Sequence, residues 1–180
     1  MVAALPGLVQ LADAQHHAKP TVELETVQAF CGTWVKDAKR SDPMDGFCQL
    51  FGVPRWLRQA TRLMAGLEVT LSGDMLVVKQ VCKLSWLSTT EAFPIDGLRT
   101  APQRRRDMRS GKQLGQLVSA SGDVMQLRVV WQGSLPGQAT DTLQLVPPRG
   151  KQQPEELLVL HEAQVDGKGS ARFQEVYVRR

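Results

Sequence analysis

From residue 67 to the end of the chain, apolar and polar residues alternate, and only short turn sequences interrupt the alternation. Leu67, Val69 and Leu71 fall on one side of an extended segment. Ser72-Gly73-Asp74 then supplies a tight turn, and residues 75–84 read as the returning strand. Further strands are expected over 85–93, 96–100, 108–119, 124–131, 140–146, 156–162 and 171–179. Ser121-Gly122-Asp123 repeats the earlier turn chemistry, and the Pro- and Gly-rich pieces 133–137 and 147–154 read as loops. With a strand over 32–38 the total is about ten, with no βαβ alternation. A meander of this kind closes as an antiparallel up-and-down β-barrel, which hides its edges and encloses one small ligand or its own side chains.

Two helices are expected between the first strand and the rest. Residues 26–30 read as a short helical lead-in to Phe30-Cys31-Gly32-Thr33-Trp34. Asp42 is placed as an N-cap with Pro43 at the first helical position, opening an amphipathic helix toward Val53. Pro54 opens a second helix over 54–65, which Gly66 is placed to end. The expected organisation is an N-terminal extension, 1–25, followed by one barrel domain, 26–180.

At 180 residues the chain is long enough to bury a core without covalent staples. Its 42% hydrophobic and 22% charged content argues for an ordered domain over a disordered one. Cys31, Cys48 and Cys82 form no Cys-x-x-Cys and no metal-ligand spacing. Reduced packing cysteines of a cytoplasmic protein are the simpler reading, one disulfide plus a free thiol the other. Residues 1–14 end in Ala12-Asp13-Ala14, a faint imitation of a signal cleavage site, but Pro6 and Gln10 break the apolar run and a basic start is missing. No apolar run reaches the length of a membrane span.

These segments, taken in order, resemble the intracellular lipid-binding proteins, the fatty-acid and retinoid carriers of the calycin group. Phe30 to Trp34 is similar to that family's opening strand. Met44 to Val53 followed by Pro54-Arg55-Trp56-Leu57-Arg58 is similar to its helix–turn–helix lid. Ser88-Thr89-Thr90-Glu91 with Phe93 resembles its fourth strand, Val129 to Gly133 its seventh, and Glu175-Val176-Tyr177 its tenth. The resemblance implies a non-enzymatic carrier of an apolar small molecule with no cofactor. It also implies an inward Arg on the eighth strand and an Arg-x-Tyr on the last to grip a carboxylate. Here Tyr177 is retained, Glu175 stands where that Arg is expected, and the eighth-strand position falls near Leu145. An inward Glu175 repels a fatty-acid carboxylate or takes up a proton, so a neutral or hydroxylated apolar ligand stands beside a fatty acid. Arg172 restores the clamp only if the strand slips by one residue, which reverses its faces.

The expected ligand-binding set is therefore Met44 and Cys48 on the lid, Ser85 and Leu87 on a portal-side strand face, and Leu145, Glu175 and Tyr177 inside. For the apolar members, plain core packing is the competing reading. Arg55, Arg58 and Arg62 share a helix face, and Arg104-Arg105-Arg106 falls where the family has a portal turn. With Trp56 they form an expected basic portal for an anionic membrane surface, against a reading as ordinary solvated charge. Nucleic acid is not expected, because a pI near 9.2 comes without a binding motif or interleaved aromatics. Adjacent His16-His17 and lone His161 make no metal site, and no nucleophile–base pairing is visible. The rival reading, motivated by the missing Arg clamp, the extension and the long loops, is a structural module with protein assembly partners.

Overall fold

The computed structural model describes residues 21–107, 109–148, 150 and 153–180; most of the expected extension, 1–20, lies outside them. Ten strands form one antiparallel sheet: β1 (Gly32–Lys36), β2 (Met64–Ser72), β3 (Met75–Cys82), β4 (Thr89–Pro94), β5 (Ala101–Arg104), β6 (Lys112–Ser121), β7 (Val124–Trp131), β8 (Gly137–Val146), β9 (Glu156–Val165) and β10 (Gly169–Arg179). Their order is β4-β3-β2-β1-β10-β9-β8-β7-β6-β5. The first strand thus pairs with the last, Trp34 opposite Arg179 and Lys36 opposite Tyr177, and the sheet curls into a nearly closed barrel. Gly73 and Gly122, at φ of 61° and 62°, supply the left-handed positions of the two Ser-Gly-Asp turns.

Among the described residues only the seam between β4 and β5 lacks a backbone ladder. Side chains close it. Gln103 accepts a hydrogen bond from the Ala92 amide at 2.6 Å, while Arg106 and Gln113 both donate to Glu91. Pro94 and Pro102 sit on these two edges, where a missing amide costs no ladder bond.

Helix α1 (Leu24–Phe30) plugs one end of the barrel with Val27 and Phe30, both wholly buried. The Glu23 amide donates to the Ala120 carbonyl, and the Glu23 carboxylate accepts from Ser121 and Gly122. Trp34 donates from its indole to Phe30 O at 2.9 Å, and the Arg179 guanidinium lies 4.2 Å from the Trp34 ring centroid. Next to this plug the barrel is filled with its own side chains: Leu76, Phe93, Leu117, Met125, Leu143 and Leu157 are all at most 2% exposed.

Helices α2 (Asp45–Leu50) and α3 (Arg55–Arg58) cover the other end. Both are shorter than the sequence predicts. Asp42 caps no helix; its amide and carboxylate pair with the backbone of Gln174, extending the β10 edge, and α2 starts three residues later with Met44 at the N-cap. After α3 the chain tightens into a 3-10 turn, Gln59–Leu63, and β2 is already running by Met64. Gly66 therefore ends no helix. It lies in β2 so close to β1 that a Cβ there would meet the Trp34 carbonyl oxygen at 2.1 Å. Residues 96–100 are also not a strand. The Asp96 carboxylate accepts the Leu98 and Arg99 amides in a local turn, so β5 begins only at Ala101.

Candidate functional site

The inward positions of β8, β9 and β10 run Ala139, Asp141, Leu143, Leu145; Val159, His161, Ala163; and Phe173, Glu175, Tyr177. Period two places a charged residue of each strand at one level, and β4 contributes Glu91. A continuous belt of ion pairs results. Lys36 Nζ donates to Glu175 Oε1, and Tyr177 donates its hydroxyl to Glu175 Oε2. His161 Nε2 donates to Glu175 Oε2 at 3.1 Å and His161 Nδ1 to Asp141 Oδ1 at 2.8 Å. Arg106 Nη2 donates to Asp141 Oδ2 at 2.9 Å, and its Nε to Glu91 Oε1 at 3.0 Å.

The belt balances its own charges: Lys36, His161 and Arg106 face Glu175, Asp141 and Glu91. Burial opposes the charge on His161, but Asp141 and Glu175 outweigh it and hold the imidazolium pKa up at about 9. Burial likewise penalises the Glu175 carboxylate, yet His161 and Lys36 bring its pKa down to about 2. Asp141, against the same penalty, is held well below the carboxylate range by Arg106 and His161. Burial and the adjacent Glu175 charge push the Tyr177 phenol up. Glu175 is thus an ionised, fully committed carboxylate.

Between this belt and the lid lies a cavity of about 170 Å³. Its walls are chiefly apolar: Met44, Phe47 and Cys48 from α2, Leu57 from α3, Leu87 from the β3–β4 turn and Phe173 from β10. Arg106, Asp107, His161 and Glu175 form its polar side. Phe173 stacks on His161 at 4.5 Å and meets Phe47 edge-on at 5.2 Å, joining floor to lid. Arg109 donates to the Phe51 carbonyl at 2.7 Å and ties the β5–β6 turn to the lid. Burial pushes the Cys48 thiol pKa up.

Of the residues singled out from sequence, Met44, Cys48, Leu87 and Glu175 line this cavity. Tyr177 stands one step behind, bonded to Glu175. Leu145 lies in the packed half near α1, opposite Leu157, and Ser85 is exposed at the start of a 3-10 turn, Ser85–Leu87, with no strand face to share with Leu87. Arg172 points outward opposite Glu162 and restores no clamp.

The basic turn needs correction. Arg104 is exposed, but Arg105 is 2% exposed, chelated by Asp107 and bonded to the Ser134 carbonyl, with its guanidinium 5.6 Å from the Trp131 ring centroid. Arg106 belongs to the belt. A carboxylate draws each guanidinium inward, Asp107 for Arg105 and the buried Glu91 and Asp141 for Arg106, as sequence position alone does not reveal. Arg55, Arg58 and Arg62 do line one groove outside the lid, together with Lys36, Asp42 and Asp45. The Trp56 side chain lies outside the described residues. Among the described residues no cluster of ligands suited to a metal occurs, and both His161 nitrogens are taken by carboxylates.

No protein-family model matches the sequence, and no curated protein matches it either. Solved structures do. Lipid binding protein 8 of Caenorhabditis elegans superposes with a TM-score of 0.63 at 18% identity, over 88% of this chain and 99% of that one. A structure described as REP1-NXSQ fatty acid transporter gives 0.60 at 17%, over 85% and 97%. The fold is that of the intracellular lipid-binding barrels. Human cRBP IV, at 0.56 and 16% over 84% and 98%, extends the likeness across nearly its whole length. At 16–18% identity the likeness is one of backbone fold.

Proposed function

We propose that this protein binds and carries an apolar small molecule in the cavity under its lid, without catalysing a reaction. The observation that carries the reading is the cavity itself: an apolar-walled void between a helical lid and a charge-neutral floor, in a barrel whose structural neighbours include a fatty acid transporter and a lipid binding protein. Burial of ligand surface supplies affinity at ~25 cal/mol per Å². The groove bearing Arg55, Arg58 and Arg62 supports contact with an anionic membrane surface during loading or release. Three free cysteines support a reducing, cytoplasmic setting. Among the described residues no helix is long and apolar enough to cross a membrane.

Native mass spectrometry of the purified chain, before and after delipidation, tests this. The expected result is a 1:1 complex with a small apolar molecule that delipidation removes and added ligand restores. Absence of saturable binding to fatty acids, fatty alcohols, retinoids and sterols overturns it.

A second reading, a barrel serving as an assembly module, draws on Trp86 and Leu84, which stand 66% and 40% exposed on the turn after β3. It predicts protein partners captured through that turn by a chain that binds no lipid, and loss of capture in W86A.

A further inference from the structure

We infer that the ion-pair belt is a floor that divides the barrel, so that the ligand is compact, uncharged and confined to the lid-side compartment. This deepens the carrier reading and rests on it.

The first observation is spatial. From the belt to α1 the interior is solid: Leu76, Phe93, Leu117, Met125, Leu143 and Leu157 fill it, and Trp34 seals its end. The remaining compartment measures about 170 Å³. A void of about 150 Å³ accommodates benzene, whereas pockets for drug-sized ligands span roughly 300–1,000 Å³. A chain of about eight carbons fills this space, and a longer chain has to break the belt or push out the lid.

The second observation is electrostatic. The cations on the cavity wall, Arg106 and His161, are each held by two carboxylates, and the anions Asp107 and Glu175 are each held by two cations. Among the described residues a fatty-acid carboxylate entering here meets no uncommitted cation, and it faces Glu175 at close range in a medium that screens poorly. An amine meets the mirror-image problem. Among the described residues the one buried side-chain polar atom without a partner, Gln103 Nε2, belongs to the β4–β5 seam and does not line the cavity. The walls therefore demand no charged head group from the ligand. Phe47, Phe51 and Phe173 reward an apolar body.

The experiment is calorimetric titration of the delipidated full chain with hexanol, octanol, decanol and dodecanol, the matching carboxylates, and hexadecanoate. If the compartment had no floor, each added methylene would tighten binding about fourfold, and dodecanol would exceed octanol about 200-fold. The expected result is less than tenfold gain from octanol to dodecanol, and at least tenfold weaker binding of each carboxylate than of its alcohol at pH 7.4. In F173A, checked for folding by circular dichroism, the enlarged compartment shifts the preferred alcohol to a longer one. A 200-fold rise to dodecanol, equal affinity for alcohol and carboxylate, or an F173A preference unchanged from wild type overturns the inference. Tight hexadecanoate binding overturns the floor and keeps the carrier. Saturable binding of none of the series overturns the carrier reading, and this inference with it.

Discussion

Replacing His161 by glutamine takes out the cation held between Asp141 and Glu175 and leaves a neutral side chain with a single donor group, the amide nitrogen, where the imidazolium had two. His161 is 4% exposed, so solvent does little to screen the loss. The imidazole titrates at about 9 in the fold against 6.5 for the free side chain. The native state therefore holds one more proton than the unfolded chain between those values. The stabilisation is fully present below pH 6.5 and disappears as pH rises through 9, at ~1.4 kcal/mol per unit, ~3 kcal/mol in all. Urea melts of wild type and H161Q between pH 6 and 10 give the difference curve, from which cysteine, lysine and tyrosine titrations common to both proteins drop out. The expected curve is steep from 6.5 to 9 and flat above. Parallel stabilities for the two proteins across this range refute the belt as a coupled ionic unit.

Three further outcomes follow from the geometry. G66A forces a Cβ onto the Trp34 carbonyl at the β1–β2 crossing and lowers stability by ~2 kcal/mol or more, seen as a fall in melting temperature. Ligand bound under the lid slows alkylation of Cys48 by iodoacetamide relative to partly buried Cys31, followed by peptide mass spectrometry. R55A/R62A weakens cosedimentation with phosphatidylserine-containing vesicles about tenfold or more at low salt and leaves thermal stability unchanged, because both side chains are exposed.

Most strands were legible from the alternation and the turn residues, and residues 124–131 emerge with the predicted limits, whereas 96–100 form a turn ahead of β5. The helices were legible in position but not in extent. Asp42-Pro43 has the composition of a helix start, but Asp42 finds a better partner in the Gln174 backbone, a contact 132 residues away that no local rule sees. The lid residues Met44 and Cys48 were legible from helical spacing. The belt was half legible: Glu175 stood out as inward and unmatched. The same period-two frame, applied to residues 139–145 and 159–163, places Asp141 and His161 beside it. The signal was present as charged residues at apolar positions. What sequence could not supply was that Arg106 leaves its own turn to complete the set, since its partners sit on β4 and β8.

The pairing of β1 with β10 sets an order of assembly. Lys36 and Glu175 are separated by 139 residues, so the polar ring cannot close until the last strand has been synthesised. Until then Lys36 lacks Glu175 and His161 lacks one of its two carboxylates, and burying either without its partner is costly. Unmatched charge thereby discourages premature collapse of the strand meander, and the seven successive hairpin pairings from β5 through β10 and from β2 through β4 can form locally while they wait. The groups that balance one another in the finished protein thus remain incomplete until β10 is in place.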